Sequence, residues 1–196
     1  MTTDCTILIP TLDLDKARAT GELAVERAGI ECEALDVEDW THAGYTHTVN
    51  RGLAAITDGD VCVLVDDCEP CDGWLAQLAE AVAERAALKV WFAGPSGPCR
   101  TPPQNSGRLG DGRRPRTVAH LAGFCLYVTR ECLDSLGGLD EAYTHYASDV
   151  DWQRRARRDY GANSLWVPGA YVGHELHAPH LEWWERDQRL LQERWG

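Results

Sequence analysis

No stretch of this 196-residue chain approaches eighteen consecutive apolar residues, so a membrane-spanning helix is excluded. Basic residues are scarce: 19 Lys and Arg stand against 31 Asp and Glu, a formal net charge of −12. That balance opposes non-specific binding to duplex DNA, whose affinity comes from clustered Lys and Arg on phosphate. The start, Met1-Thr2-Thr3-Asp4-Cys5, carries no basic, apolar leader and is expected to enter a strand directly. No internal repeat is present. The eight cysteines are irregularly spaced, and several fall inside expected strands and helices, which suits buried thiols of a cytoplasmic protein better than a disulfide framework. With 44% hydrophobic and 26% charged residues, the chain is expected to fold as one soluble domain with a substantial core.

What is present is an alternation of strand and helix. Thr6 to Pro10, Glu31 to Val37, Val61 to Val65 and Val90 to Ala93 read as strands. Between them, Lys16 to Ala28, Thr46 to Thr57 and Gly73 to Leu88 carry apolar residues at helical spacing. Such alternation implies an α/β fold with parallel strands joined by right-handed crossovers. Further on, Val118 to Val128 is strand-like, Arg130 to Leu136 is a short helix stopped by Gly137-Gly138, and Asp149 to Tyr160 is a helix closed by Gly161. Ser164 to Val167 and Ala170 to Val172 are short strands, and Leu181 to Trp195 is a terminal helix.

The segment Val61-Cys62-Val63-Leu64-Val65-Asp66-Asp67 is the most informative: a buried strand ending in two carboxylates. Ligands of α/β sheets bind outside the carboxyl ends of the strands. Two adjacent anions there repel one another unless a cation arrives, and a divalent metal holding a diphosphate meets that need with one or two carboxylates. The competing reading is a turn in which one Asp caps the helix that follows, which accounts for one carboxylate and not for two.

From Gly94 to Arg116 the composition shifts to Gly, Pro, Arg, Ser and Asn, and Arg100, Arg108, Arg113, Arg114 and Arg116 all lie here. A structureless stretch of this length is expected to be either a mobile insertion or a flap whose arginines meet phosphates or an anionic acceptor.

Four sets of residues resemble those of a family 2-type glycosyltransferase with the GT-A fold. The first is Asn50-Arg51-Gly52 with Gly59-Asp60, the acidic pair and Gly73-Trp74-Leu75. The second is Gly137-Gly138-Leu139-Asp140-Glu141 followed by Ser148-Asp149-Val150-Asp151-Trp152. Val167-Pro168 with His174 and the closing Arg194-Trp195-Gly196 complete the order. There are departures: the family's D-x-D is here the adjacent pair Asp66-Asp67, and the Glu that commonly precedes Asp149 is Ser148.

The resemblance implies a GT-A, Rossmann-like, mostly parallel central sheet flanked by helices, with a small acceptor-side subdomain. Residues 1–93 would form the nucleotide-sugar-binding half, 94–117 a flexible loop and 118–196 the acceptor and catalytic half. It implies a nucleotide-diphosphate sugar donor, with a UDP-sugar favoured. Asp67 and His174 would hold Mn²⁺ or Mg²⁺, and an imidazole ligand favours Mn²⁺. Asp149 would be the general base of an inverting transfer, although an Asp opening a helix also suits an N-cap. Pro10, Thr11, Asp36, Asn50, Asp66, Gly123 and Asp140 are expected around the donor, and Asp151, Trp152 and Trp184 on the acceptor side. The acceptor class stays open among glycan, lipid-linked sugar, protein and modified nucleobase. A nucleic-acid acceptor would need the Arg-rich loop. A bacterial or phage source is expected.

Three rivals are weighed against this reading. A sugar nucleotidyltransferase would need a Gly-rich, basic loop after the first strand, where the chain has Pro10-Thr11-Leu12-Asp13-Leu14-Asp15. A non-catalytic module that kept the nucleotide pocket would be insensitive to loss of Asp149, and retaining chemistry would free Asp149 from the base role. The lone Cys68-Glu-Pro-Cys71 has no second C-x-x-C to make a zinc site. In His174-x-x-His177-x-x-His180 the intervening Pro179 breaks any helical ligand face, so only His174 is carried forward.

Overall fold

A computed structural model describes residues 5–106 and 113–196. Arg108, expected in the basic flap, lies outside the described residues, as do Met1-Thr2-Thr3-Asp4. One eight-stranded sheet organises the chain. Its strands are β1 (Cys5–Thr11), β2 (Cys32–Glu38), β3 (Asp60–Leu64), β4 (Cys68–Pro70), β5 (Val90–Ser96), β6 (Arg116–Val118), β7 (Cys125–Val128) and β8 (Asn163–His174). The order across the sheet is β2-β1-β3-β7-β5-β8-β4, with β6 also paired to β8. β1, β2, β3, β5 and β8 share one direction, while β7 is inserted antiparallel between β3 and β5. β4 and β6 also run antiparallel to β8.

The helices are α1 (Leu14–Glu26), α2 (Tyr45–Ala55), α3 (Trp74–Ala83), α4 (Arg130–Leu136), α5 (Ser148–Tyr160) and α6 (Leu181–Trp195). Local chemistry sets their ends. Asp13 caps α1 by accepting the N–H groups of Asp15 and Lys16 at 3.1 and 3.2 Å. Gly161, at φ +67°, closes α5 in the left-handed conformation expected there.

Each strand alternates its side chains between two cores. Ile7, Ile9, Cys62, Leu64 and Tyr127 pack with Trp74, Leu75 and Leu78 of α3, whereas Leu8, Val61, Val63, Phe92 and Leu126 pack with Val49 of α2 and Trp152 of α5. Both faces are covered, so β1 is buried at all seven residues. Gly52 of α2 lies against Leu8 so closely that a Cβ there would overlap Leu8 Cδ1 and stand 3.0 Å from Val37 Cγ2. Gly52→Ala is expected to destabilise by about 1–3 kcal/mol through overpacking, read as a lower urea midpoint at unchanged slope.

The sequence expectations hold for the elements of β1 to β3 and for α4 and α6. Two differ. The stretch 118–128 is not one strand: between β6 and β7 the backbone leaves the sheet, and side-chain amides take over its hydrogen bonds. Gln153 accepts Leu121 N at 2.8 Å and donates to Leu121 O at 2.9 Å, and Gln104 accepts Ala122 N at 2.7 Å. Conversely, the two short strands expected at 164–172 are one, because a register shift against β5 between Val167 and Tyr171 absorbs Pro168-Gly169. Within the expected loop, β5 continues to Ser96, and the fully buried Gln104 anchors the segment that follows by donating to Pro95 O at 3.1 Å. All eight cysteines are free thiols. Among the described residues, no helix is long and apolar enough to cross a membrane.

Candidate active site

Because β1, β3 and β8 run the same way, their carboxyl ends meet at one edge of the sheet. A cleft of about 1010 Å³ opens there. Pro10 and Thr11 end β1, Asp66 and Asp67 follow β3, and His174 ends β8; all five line the cleft.

The two carboxylates are met differently. Asp66 accepts from the Thr11 hydroxyl, and its other oxygen is 3.2 Å from Lys16 Nζ. Thr20 fixes the backbone by donating to Asp66 O at 2.7 Å. No Lys or Arg among the described residues pairs with Asp67. Its Oδ2 faces His177 Nε2 at 2.9 Å and its Oδ1 faces His174 Nε2 at 3.6 Å. That Oδ1 is buried with no hydrogen-bond partner. On the far side of its ring, His174 Nδ1 lies 3.0 Å from Pro98 O and donates there, which turns Nε2 toward Asp67. Phe124 stacks on the ring at 4.9 Å and fixes its plane.

An orphaned carboxylate oxygen opposite an imidazole ring nitrogen is a donor set that fits a cation. The backbone carbonyl behind the imidazole is the outer-shell partner that metal-bound histidines usually have. Among the described residues, no group of three or more His, Cys, Asp or Glu donors is arranged to enclose an ion. A two-donor site suits a metal that takes its remaining ligands from a diphosphate.

Asp149, in the first turn of α5, also lines the cleft. Burial pushes its carboxyl above the usual carboxylate range, against the pull of the backbone N–H groups of Val150 and Gly123. Gly123 is needed at this point: a Cβ there would sit 3.0 Å from Asp149 Oδ2 and 3.2 Å from Tyr45 Oη. Tyr45 donates to Gly123 O at 3.0 Å, so the glycine is clasped between α2 and α5. Trp184, 43% exposed, lines the cleft mouth beside Trp183.

Several residues expected at the site are placed elsewhere. Asp36 does not line the cleft; it pairs in register with Ile9, shares that residue's face, and lies under α1 beside Gly21 with its Oδ1 unpartnered. The carboxylate that reaches the cleft from this strand is Asp39. Burial raises its carboxyl, but N–H bonds from Gly44 and Ala43 outweigh that and hold it below the usual range. Asn50 is a structural tie: its Nδ2 donates to Leu139 O and its Oδ1 accepts Leu139 N, both at 2.9 Å. Asp140 accepts Ala142 N at 2.8 Å and pairs with Arg194 of α6. Asp151 is buried and receives Arg155 Nε and Trp195 Nε1, each at 2.8 Å, which binds α6 to α5. Trp152 is fully buried and donates to Gly137 O at 2.9 Å. Lys16, Asp39, Tyr45 and His177 line the cleft without having been expected there. The histidine triplet was the available signal for His177: Pro179 removes a helix, yet the extended chain after β8 still brings His177 to Asp67.

Of the expected flap, Arg100 lines the cleft, and Arg113 and Arg116 stack on Trp166 at 4.7 and 5.3 Å.

No protein-family model matches the chain. A stretch of 65 residues, 33% of the chain, is 42% identical to the N-acetylglucosaminyl-diphospho-decaprenol L-rhamnosyltransferase of Mycobacterium tuberculosis, and it covers 20% of that protein. Similar solved structures include GalNAc-T7 with UDP, GalNAc and Mn²⁺ (14% identity, TM-score 0.66, 87% of this chain and 43% of that one). The mannosyltransferase PcManGT from Pyrobaculum calidifontis, in complex with GDP-Man and Mn²⁺, is similar over 98% of this chain and 64% of its own, at 17% identity and TM-score 0.64. A197 from STIV matches at 11% identity and TM-score 0.56 over 88% and 86% of the two chains. The chain therefore spans about a fifth of the curated relative's length and less than two thirds of those two transferases. These likenesses establish the fold, which is the GT-A fold of glycosyltransferases.

Proposed function

We propose that this protein is a metal-dependent, inverting glycosyltransferase that moves a sugar from a nucleotide-diphosphate sugar to an acceptor hydroxyl. The observation that carries the reading is the cleft itself. It presents Asp67, with an orphaned oxygen facing His174 Nε2, together with the half-buried Asp149. The UDP, GDP-Man and Mn²⁺ of the two similar transferases support the donor class.

Pro10, Thr11 and Asp66 form the donor floor over β1 and β3. Asp67 and His174 would hold Mn²⁺ or Mg²⁺, which when bound neutralises charge on the leaving diphosphate. Asp149 takes the proton of the acceptor hydroxyl while that oxygen bonds to the anomeric carbon. The bond from that carbon to the diphosphate oxygen breaks, and its electron pair leaves with the nucleoside diphosphate. A base needs an affinity for the proton near working pH, and the burial that raises the Asp149 carboxyl moves it in that direction. Trp184 at the mouth offers a flat apolar face to an acceptor.

Incubation with UDP- and GDP-sugars, Mn²⁺ and a panel of acceptors is expected to release nucleoside diphosphate and to yield a product of inverted anomeric configuration by proton NMR. A product of retained configuration would remove Asp149 from the base role.

A further inference from the structure

Asp187 of α6 is a fully buried carboxylate, and no cation among the described residues lies within ion-pair distance of it. Its charge is met by backbone alone. Oδ2 accepts His145 N at 2.8 Å, Tyr146 N at 2.9 Å and Thr144 N at 3.1 Å, and Oδ1 accepts Thr144 N at 3.2 Å. Three successive N–H groups converging on one carboxylate is a charge-assisted clasp, stronger than the same bonds to a neutral acceptor.

What the clasp holds is the approach to Asp149. The next residue, Ala147, is in the left-handed region at φ +62°, a conformation that a residue with a Cβ keeps only where its surroundings over-determine it. Ser148 and Asp149 then open α5. The same segment is pinned from its other side: Thr144 O accepts Thr46 N of α2 at 3.2 Å, and Gly44 packs against that carbonyl so tightly that a Cβ would stand 2.5 Å from Thr144 O. The chain entering α5 is thus gripped between α2, which carries Tyr45, and α6, which carries Asp187.

We propose that Asp187 is a positioning residue for the transfer: by gathering the N–H groups of Thr144, His145 and Tyr146, it fixes where Asp149 stands in the cleft. The proposal rests on the reading of Asp149 as the base. It makes α6 part of the catalytic frame, although Asp187 does not line the cleft.

The test compares Asp187→Asn and Asp187→Ala with Asp60→Asn. Asp60 also receives a backbone N–H, Arg130 N at 2.7 Å, and the Tyr127 hydroxyl, but it lies at the start of β3, the sheet edge opposite the cleft. Hydrolysis of UDP-glucose, UDP-N-acetylglucosamine and GDP-mannose with Mn²⁺ gives kcat and KM, and hydrogen exchange reports residues 144–150. For Asp187→Asn the expected result is a kcat lower by at least about tenfold at a donor KM changed less than about twofold, with protection lost in 144–150. Asp60→Asn is expected to lower Tm comparably while leaving kcat unchanged. Should Asp187→Ala fail to fold, Asp187→Asn, which keeps one acceptor oxygen in place, carries the measurement. Unchanged protection in 144–150, or a kcat loss no larger than that of Asp60→Asn, would overturn the proposal. Should the wild type hydrolyse none of the three donors, the exchange data decide alone: protection lost in 144–150 of Asp187→Asn supports the anchoring, and unchanged protection overturns it, whereas the functional reading itself stands or falls by the acceptor panel.

Discussion

Asp149→Asn is expected to lower kcat by about 10²–10⁴-fold while leaving metal-dependent donor binding unchanged, since a positioned general base contributes on that order. The amide keeps the shape of the carboxylate beside Gly123 but cannot accept the acceptor's proton. The pH profile adds a second readout. Burial raises the Asp149 carboxyl above its ordinary value, so the acid limb of kcat/KM should lie above the usual carboxylate range. The sign for stability follows from the same shift. With the folded-state affinity for the proton above the unfolded one, the group's favourable contribution is fully present below the unfolded pKa and is lost as pH rises through the folded pKa. In Asp149→Asn both effects vanish: the acid limb disappears, and stability between those two pKa values no longer falls with pH on this residue's account. A variant that keeps wild-type turnover with unchanged donor binding would end the base assignment.

The second large effect concerns the acidic pair after β3. Asp67→Asn is expected to weaken Mn²⁺-dependent binding of UDP or GDP by at least about a hundredfold, the loss of a charge interaction worth several kcal/mol. Asp66→Asn should behave differently, because Asp66 is already met by Lys16 and Thr11 and its loss releases a lysine rather than a cation site. Isothermal titration with nucleoside diphosphate, with and without Mn²⁺, separates the two. Equal losses in both variants would argue that the pair acts as one anionic patch and that Asp67 is not the specific ligand.

Much of this arrangement was legible in the sequence, and the reasons are local. The strand Val61 to Leu64 declares itself by an unbroken apolar run, and its two terminal carboxylates declare a cleft because parallel strands end together. Asp67, His174 and Asp149 converge on that cleft from motifs more than eighty and more than twenty residues apart, roughly, which spacing alone could order but not assemble. The rest was hidden by two kinds of physics. The first is strand parity: Asp36 and Asp39 are close in sequence, but only the residue beyond the end of β2 turns into the cleft, while Asp36 follows Ile9 to the α1 face. The second is sequence distance. Lys16 meets Asp66 across 50 residues and His177 meets Asp67 across 110, so neither contact leaves a periodic trace. Motif residues also divide by role in a way that spelling does not reveal. Asn50 and Asp140 belong to recognisable signatures, yet in the fold they tie α2 and α6 to the turn at 138–142. Their service to the site is to hold the chain that leads to Asp149.

The measurement that reaches the central claim most directly is a thermal-shift series with UDP, GDP and their sugar derivatives, each with and without Mn²⁺. A ligand that binds only the folded protein raises its stability by mass action, by about 2.7 kcal/mol at a hundred times its Kd. The account predicts a rise with one nucleoside diphosphate that requires Mn²⁺ and is absent in Asp67→Asn. A rise that is the same without metal, or the same in Asp67→Asn, would contradict it.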